Sequence, residues 1–241
     1  MKSKIPVAEI HFAAKSGFLS KSVWLDFFAA GSTGWKNKVW RSFLEREYFL
    51  KHPARRADDV LVPNPKSAAV KRLAGDAVAA PPYIFQLDHD EQCSRIALSL
   101  QRRGVVQDYM MEVEQKRHFF GWNKSLSEAR AVKFTDLLLE VKCQSGFKRV
   151  AVELELSRKS PARYRKIFQS YAAKRDYSTI IFLSRSQTIF DALARAMKDA
   201  TFPTWEKQVG FSSVDGWLKD PTLTPIHLDS GATSLAQLIA S

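Results

Sequence analysis

Residues 135–160 read TDLLLEVKCQSGFKRVAVELELSRKS, and this stretch decides the fold. Two β-prone runs, FTDLLLEV at 134–141 and RVAVELELS at 149–157, flank a short glycine-containing connection, which predicts a hairpin. An aspartate leads the first run, and two glutamates sit one residue apart in the second. In a strand, residues i and i+2 share a face about 6.5–7 Å apart. Glu153 and Glu155 therefore project together with Ala151 and Ser157, while Val152, Leu154 and Leu156 face the other layer. If Asp136 stands beside them, three carboxylates converge on one rim, where repulsion and desolvation are costly unless a cation lies between them. Oxygen-only ligands favour Mg²⁺ or Mn²⁺, ions that activate water and stabilise a departing oxygen in phosphodiester cleavage. The alternative for such a pair of glutamates taken alone is an edge strand with a solvated charged face.

Outward from this hairpin the pattern alternates. SPARYRKIFQSYAAKRD at 160–176 predicts a helix capped by Ser160 with Pro161 at its first position. STIIFLSRS at 178–186 reads as a fully buried strand and TIFDALARAMKDA at 188–200 as a further helix. Upstream, LDHDEQCSRIALSLQRRG at 87–104 predicts a helix with Asp88 as N-cap, Glu91 three residues later and Gly104 as its stop. DYMMEVEQKRHFF at 108–120 is read as another strand, and the tail from VGFSSVDGWLKD onward as one strand and a short terminal helix. The order αβββαβα describes a mixed sheet flanked by helices, an α/β (α+β) class.

The N-terminal third has a different character. LSKSVWLDFFAAG at 19–31 has Ser20 as N-cap and Val23, Trp24, Phe27 and Phe28 at helical spacing. TGWKNKVWRSFLEREY at 33–48 repeats the pattern, with Trp35, Val39, Trp40, Phe43 and Leu44 on the core side and Lys36, Asn37, Lys38, Arg41 and Ser42 on the other. With a weaker helix over 6–17, this predicts a helix-turn-helix whose third helix is the recognition helix. Two β-prone runs, 48–50 and 60–62, enclose a basic loop holding Lys51, His52, Arg55 and Arg56, which fits the wing of a winged helix touching a phosphate backbone. The alternative is a small helical domain with a solvated basic face. A segment rich in Ala, Pro and Lys then closes the module, so the expected domains are 1–80 and 82–241, divided at Pro82.

Composition fits this division. The chain of 241 residues is 45% hydrophobic and carries a net charge of +12, enough core to fold and a balance that favours a polyanionic partner. Residues 1–80 hold 14 basic against 7 acidic side chains, more than half of the excess. No apolar run reaches the roughly 18 residues a membrane span needs, and residues 1–17 lack a signal-peptide core, so a cytoplasmic protein with no membrane insertion is expected. Cys93 and Cys143 have neither metal-ligand spacing nor partners for a disulfide framework, and read as small buried residues.

TDLLLEV followed by VAVELELSRKS and a basic helix resembles the PD-(D/E)XK core of restriction-endonuclease-like nucleases. The larger resemblance is to the replication-relaxation family and the related MobC-type (MOBC) relaxases of mobilizable plasmids, in which a winged helix precedes such a domain. LDHDEQ at 87–92 resembles that family's Leu-x-His-Asp helix start, Asp136 its Pro-Asp aspartate, VELELS its Glu-x-acidic strand, and KIFQSY at 166–171 its Lys-to-Tyr helix. The resemblance implies a winged helix-turn-helix followed by a restriction-endonuclease-like mixed sheet. It implies a metal-dependent endonuclease nicking one strand at a plasmid transfer origin, with an accessory mobilization protein and a coupling protein as further partners. It also implies site roles for His89, Asp90 and Lys166 beside Asp136, Glu153 and Glu155. Two departures stand out: Thr135 replaces the proline, and Glu155 occupies the usual lysine position, which leaves charge stabilisation to another cation. Helical phase sets Lys166 opposite the apolar stripe of Tyr164, Ile167, Phe168 and Tyr171, so Lys166 and Arg163 are also candidates for phosphate contact. Water is favoured as the nucleophile, with Tyr164, Tyr171 and Tyr177 as the available tyrosines. The rival functions are a non-catalytic plasmid replication or transcription protein that binds DNA, and a restriction or repair nuclease.

Overall fold

The computed structural model of the chain describes residues 5–53, 59–75, 78, 80–122, 133–143, 146–173, 179–200, 202 and 208–240. The chain divides into two compact units, Met1–Ser94 with Val113–His118, and Arg95–Glu112 with Phe119–Ser241.

The first unit begins with α1 (Val7–Ser16), β1 (Leu19–Ser20), α2 (Lys21–Phe27) and α3 (Thr33–Glu45), followed by β2 (Phe49–Lys51), β3 (Val60–Pro63) and α4 (Ala68–Ala74). Local chemistry sets these limits. Gly17, at φ +85°, ends α1, a left-handed position that glycine adopts without a Cβ clash. The Ser20 hydroxyl accepts from Val23 N at 3.2 Å and the Ser32 hydroxyl from Trp35 N at 3.4 Å, capping α2 and α3. The three strands pair antiparallel in the order β1-β3-β2, with Leu19 opposite Leu61 and Leu50 opposite Val62. Inside, Trp24, Trp40, Phe43 and Phe49 form a chain of ring contacts with centroids 5.3–5.9 Å apart. Full burial of each such side chain is worth roughly 1.5–3 kcal/mol. Trp35, expected in that core, is 49% exposed. It lies in the first turn of α3, where the ring leans over Gly31 and a Cβ at that glycine would come within 3.0 Å of its Cδ1.

A single 3-10 turn at Ile84–Gln86 leads into α5 (Leu87–Arg102). Asp88 therefore lies inside the first turn and is not the N-cap; with Asp90 it still complements the positive end of the helix dipole. Gly104, at φ +68°, follows the end of α5. The run at 108–120 splits: β4 (Val106–Met111) gives way to α6 (Glu112–Trp122). Glu112, Glu114, Gln115 and Lys116 are strong helix formers, and they override the β-prone aromatic end of the run.

The sheet of the second unit continues with β5 (Leu137–Cys143), β6 (Gly146–Leu154), α7 (Pro161–Ala172), β7 (Thr179–Ser184), α8 (Gln187–Asp199), β8 (Gln208–Ser213), α9 (Val214–Lys219), β9 (Ile226–Leu228), β10 (Gly231–Thr233) and α10 (Leu235–Ala240). Seven strands lie in the order β10-β9-β8-β7-β6-β5-β4. β4, β5 and β6 form an antiparallel meander, whereas β6, β7 and β8 run parallel through the crossover helices α7 and α8. Every residue of β7 is buried, as a parallel strand covered on both faces requires. Tyr164, Ile167, Phe168 and Tyr171 of α7 pack on Ala151, Ile180 and Phe182, and against Ile189, Leu193 and Met197 of α8. Cys93 and Cys143 are both buried free thiols. The tail holds two strands and one short helix more than its sequence pattern predicts. No helix among the described residues is long and apolar enough to cross a membrane.

Candidate active site

The β5–β6 register, with Leu137 opposite Val152, brings Asp136 across from Glu153. Asp136 Oδ2 accepts from Leu154 N at 2.8 Å, which locks the aspartate onto the partner strand. Thr135 supports it from behind: its hydroxyl, 1% exposed, donates to Val152 O at 2.8 Å. A proline there could make no such bond, so the departure from the Pro-Asp pattern is matched by a local use for the hydroxyl.

Glu153 and Glu155 are both fully buried, at 1% and 0% exposure. Glu153 Oε1 accepts a short hydrogen bond from the Tyr171 hydroxyl of α7. Its other oxygen meets Lys133 Nζ at 2.9 Å, and the same ammonium lies 4.0 Å from Asp136 Oδ1 and donates to Phe134 O at 2.7 Å. Glu155 extends the ladder past β6, with its N donating to Leu183 O at 2.8 Å. Its Oε2 pairs closely with Lys159 Nζ, while Oε1 is buried with no hydrogen-bond partner among the described residues. Lys159 N in turn donates to the Tyr164 hydroxyl at 3.1 Å.

Electrostatics follow from this burial. Desolvation, then the charge of Asp136, push the Glu153 carboxyl up to about 7 against the opposing pull of Lys133 and Tyr171. Burial also raises Glu155, opposed chiefly by Lys159. For Lys133 burial works the other way, but Glu153 and Asp136 outweigh it and hold the ammonium above its ordinary value, so it stays charged. Three carboxylates and two ammonium groups leave one negative charge in excess when all are ionised.

The cations that balance the site are thus Lys133 and Lys159, neither of which the sequence reading singled out. Lys133 lies three residues before Asp136 and Lys159 four after Glu155, so a search for basic residues flanking each carboxylate would have found both. As arranged here, Asp136 and Glu153 share one lysine and Glu155 has another; among the described residues no three His, Cys, Asp or Glu side chains are grouped as a ready metal-ligand set. The donors nevertheless fit a hard divalent ion in kind: oxygen atoms only, one negative charge in excess when all are ionised, and a buried oxygen on Glu155 that is unpartnered among the described residues.

The other candidates are distributed differently. Lys166 and Arg163 are exposed on α7, away from the stripe that holds Tyr171 against Glu153. His89 Nδ1 and Asp90 Oδ1 pair with each other at 3.0 Å in the first unit, whereas the carboxylates belong to the second. Tyr164 and Tyr171 are buried and engaged by Lys159 N and Glu153, which suits support better than attack; Tyr177 lies outside the described residues. On α3, Asn37, Lys38 and Arg41 are exposed and Lys36 is half-buried, with exposed Trp35 beside them. Lys51 is exposed at the end of β2, while Arg55 and Arg56 lie outside the described residues. Compared with known proteins, the chain matches no family model, no curated protein and no solved structure.

Proposed function

We propose that this chain is a metal-dependent DNA endonuclease of the relaxase kind, which binds duplex DNA through its first unit and nicks one strand with the cluster around Glu153. The carrying observation is the buried arrangement of Asp136 and Glu153 under a single lysine, at the edge where an antiparallel meander meets a parallel crossover. The helix, meander, crossover helix and parallel strand follow one another in the order of the restriction-endonuclease-like core that the sequence resembles. The first unit's helices and antiparallel pair likewise run in the order of a winged helix.

In this reading Asp136 and Glu153 would hold Mg²⁺ or Mn²⁺, which would supply Lewis-acid polarisation of the phosphate and an activated water. The chain's own groups orient and balance. Leu154 N and Thr135 fix Asp136, and Tyr171 fixes Glu153. Lys133 supplies the positive charge that the Glu155 position lacks, and Lys159 neutralises Glu155 from the loop before α7. Lys36, Asn37, Lys38, Arg41 and Lys51 make phosphate and groove contacts that bring DNA in against the repulsion of the carboxylates. The target is a plasmid transfer origin, with mobilization and coupling proteins as the partners of that role.

Incubating the chain with supercoiled plasmids that carry or lack a candidate origin, with Mg²⁺, with Mn²⁺ and with chelator, tests the reading. Metal-dependent nicking confined to the origin plasmid is expected. Cleavage regardless of origin would make it a restriction or repair nuclease. A second reading, a non-catalytic plasmid DNA-binding protein, draws on the fact that every carboxylate of the cluster already has a lysine; binding without nicking under all conditions would favour it.

A further inference from the structure

The two most exposed large apolar side chains among the described residues lie two positions apart: Phe85 at 79% and Tyr83 at 70%. They are not splayed into solvent independently. Their rings stack face to face, with centroids 5.5 Å apart and planes 5° from parallel. The backbone that carries them is turned: Tyr83 leads the 3-10 turn at Ile84–Gln86, and Gln86 N donates to Tyr83 O at 2.8 Å. The residue before the pair is also anchored. His52, 3% exposed, donates from Nε2 to Pro82 O at 2.9 Å, and its neighbour Lys51 is exposed at the end of β2. The segment therefore belongs to the first unit and is tied to a strand end that carries a cation.

We infer that Tyr83 and Phe85 form a stacking platform for the unpaired bases of a single-stranded nucleic acid, with Lys51 serving its phosphates. Aromatic faces stack with any base, and a basic neighbour tracks the backbone. The rings are already parallel in the free chain, so little rotamer freedom is lost when a base joins the stack. A protein partner's hydrophobic patch would favour an apolar centre depleted of charge, whereas this pair follows Pro82, held by His52 whose chain neighbour Lys51 is exposed, in the more basic part of the chain. Duplex DNA keeps its base faces in its own stack, which restricts the occupant to single strands. Tyr83 and Phe85 are separate from the residues assigned above to cleavage and to duplex contact, Lys51 being the one residue shared with the latter, so the platform stands or falls independently of nicking.

Fluorescence anisotropy of the full chain with a labelled 20-mer of deoxythymidine, an abasic oligonucleotide of the same length and a duplex of that length tests the assignment. The double substitution Tyr83→Ala/Phe85→Ala is expected to weaken oligothymidine binding by about tenfold or more, while affinity for the abasic strand and the duplex stays within twofold. Tyr83→Trp/Phe85→Trp, which keeps both aromatic faces, retains oligothymidine binding within twofold of the parent. Equal losses on the abasic strand, or no loss on oligothymidine, overturn the inference. So does a concentration-dependent dimer of the parent that the double variant abolishes, which would assign the platform to a second copy.

Discussion

The two units carry charge in opposite ways. In the first, Lys38 and Arg41 stand exposed on the solvent side of α3. In the second, Glu153 and Glu155 are buried at the end of β6 and just past it, and the Lys133 and Lys159 side chains are only 26% and 23% exposed. Exposed charge costs little to keep and is screened by salt. Buried charge is costly to keep and costlier to break, because each group removed leaves its partner uncompensated. The contrast separates an exposed, solvated basic surface from a cluster held together against the preference of its own members.

Lys133→Met probes the contrast most severely. It leaves Glu153 and Asp136 without their shared cation, and a loss of about 3–5 kcal/mol in urea unfolding at pH 8 is expected. A loss below 1 kcal/mol would show that the cluster is solvated after all.

The next effect is the pH dependence of stability in the metal-free protein. The folded Glu153 carboxyl is raised from 4.5 to about 7. Its contribution is then fully present below pH 4.5 and is lost as pH rises to about 7, because the folded state binds the extra proton in that window. The expected loss is about 3 kcal/mol across it, and Glu153→Gln should remove this slope. A parent protein whose melting temperature climbs from pH 5 to 7, with the same climb in the glutamine variant, would contradict the assignment.

On the first unit, Lys38→Glu with Arg41→Glu should change folding stability by no more than about 0.5 kcal/mol for each substitution. If both contact phosphates, the salt dependence of duplex binding should shrink by roughly two counterions. Unchanged salt dependence would move the duplex site elsewhere. Smallest of all is Lys166→Ala: an exposed residue on the outer side of α7 should alter neither stability nor nicking. A large loss of nicking would return it to the catalytic role that the family resemblance implies.

What was legible in the sequence followed from local rules. Ser20 and Ser160 cap the helices they precede, the 134–141 and 149–157 runs form a hairpin, and β7 is buried throughout, because capping, alternation and apolar runs are encoded within a few residues. The parts that were not legible depend on distant partners. β1 is two residues long and exists only through pairing with β3, forty residues on. β9 and β10 are three residues each, too short to show alternation before β8 holds them. Trp35 has the helical phase of a core residue but stands at the rim of the first turn. Glu153 was legible as an anomaly on a buried strand; its partners were not, since Tyr171 reaches it from α7 and Lys133 from ahead of β5.

The central claim, that this buried cluster performs metal-dependent strand nicking, is tested most directly with Asp136→Asn and Glu153→Gln beside the parent. Each keeps the shape of its side chain and removes one negative charge. For each protein, nicking of the origin plasmid in Mg²⁺ or Mn²⁺, duplex affinity, and the rise in melting temperature on adding metal are measured on the same preparation. The account predicts that both substitutions abolish nicking, leave duplex affinity within twofold, and diminish the metal-induced rise that the parent displays. Full nicking by both variants, with the parent's melting temperature indifferent to metal, would contradict it.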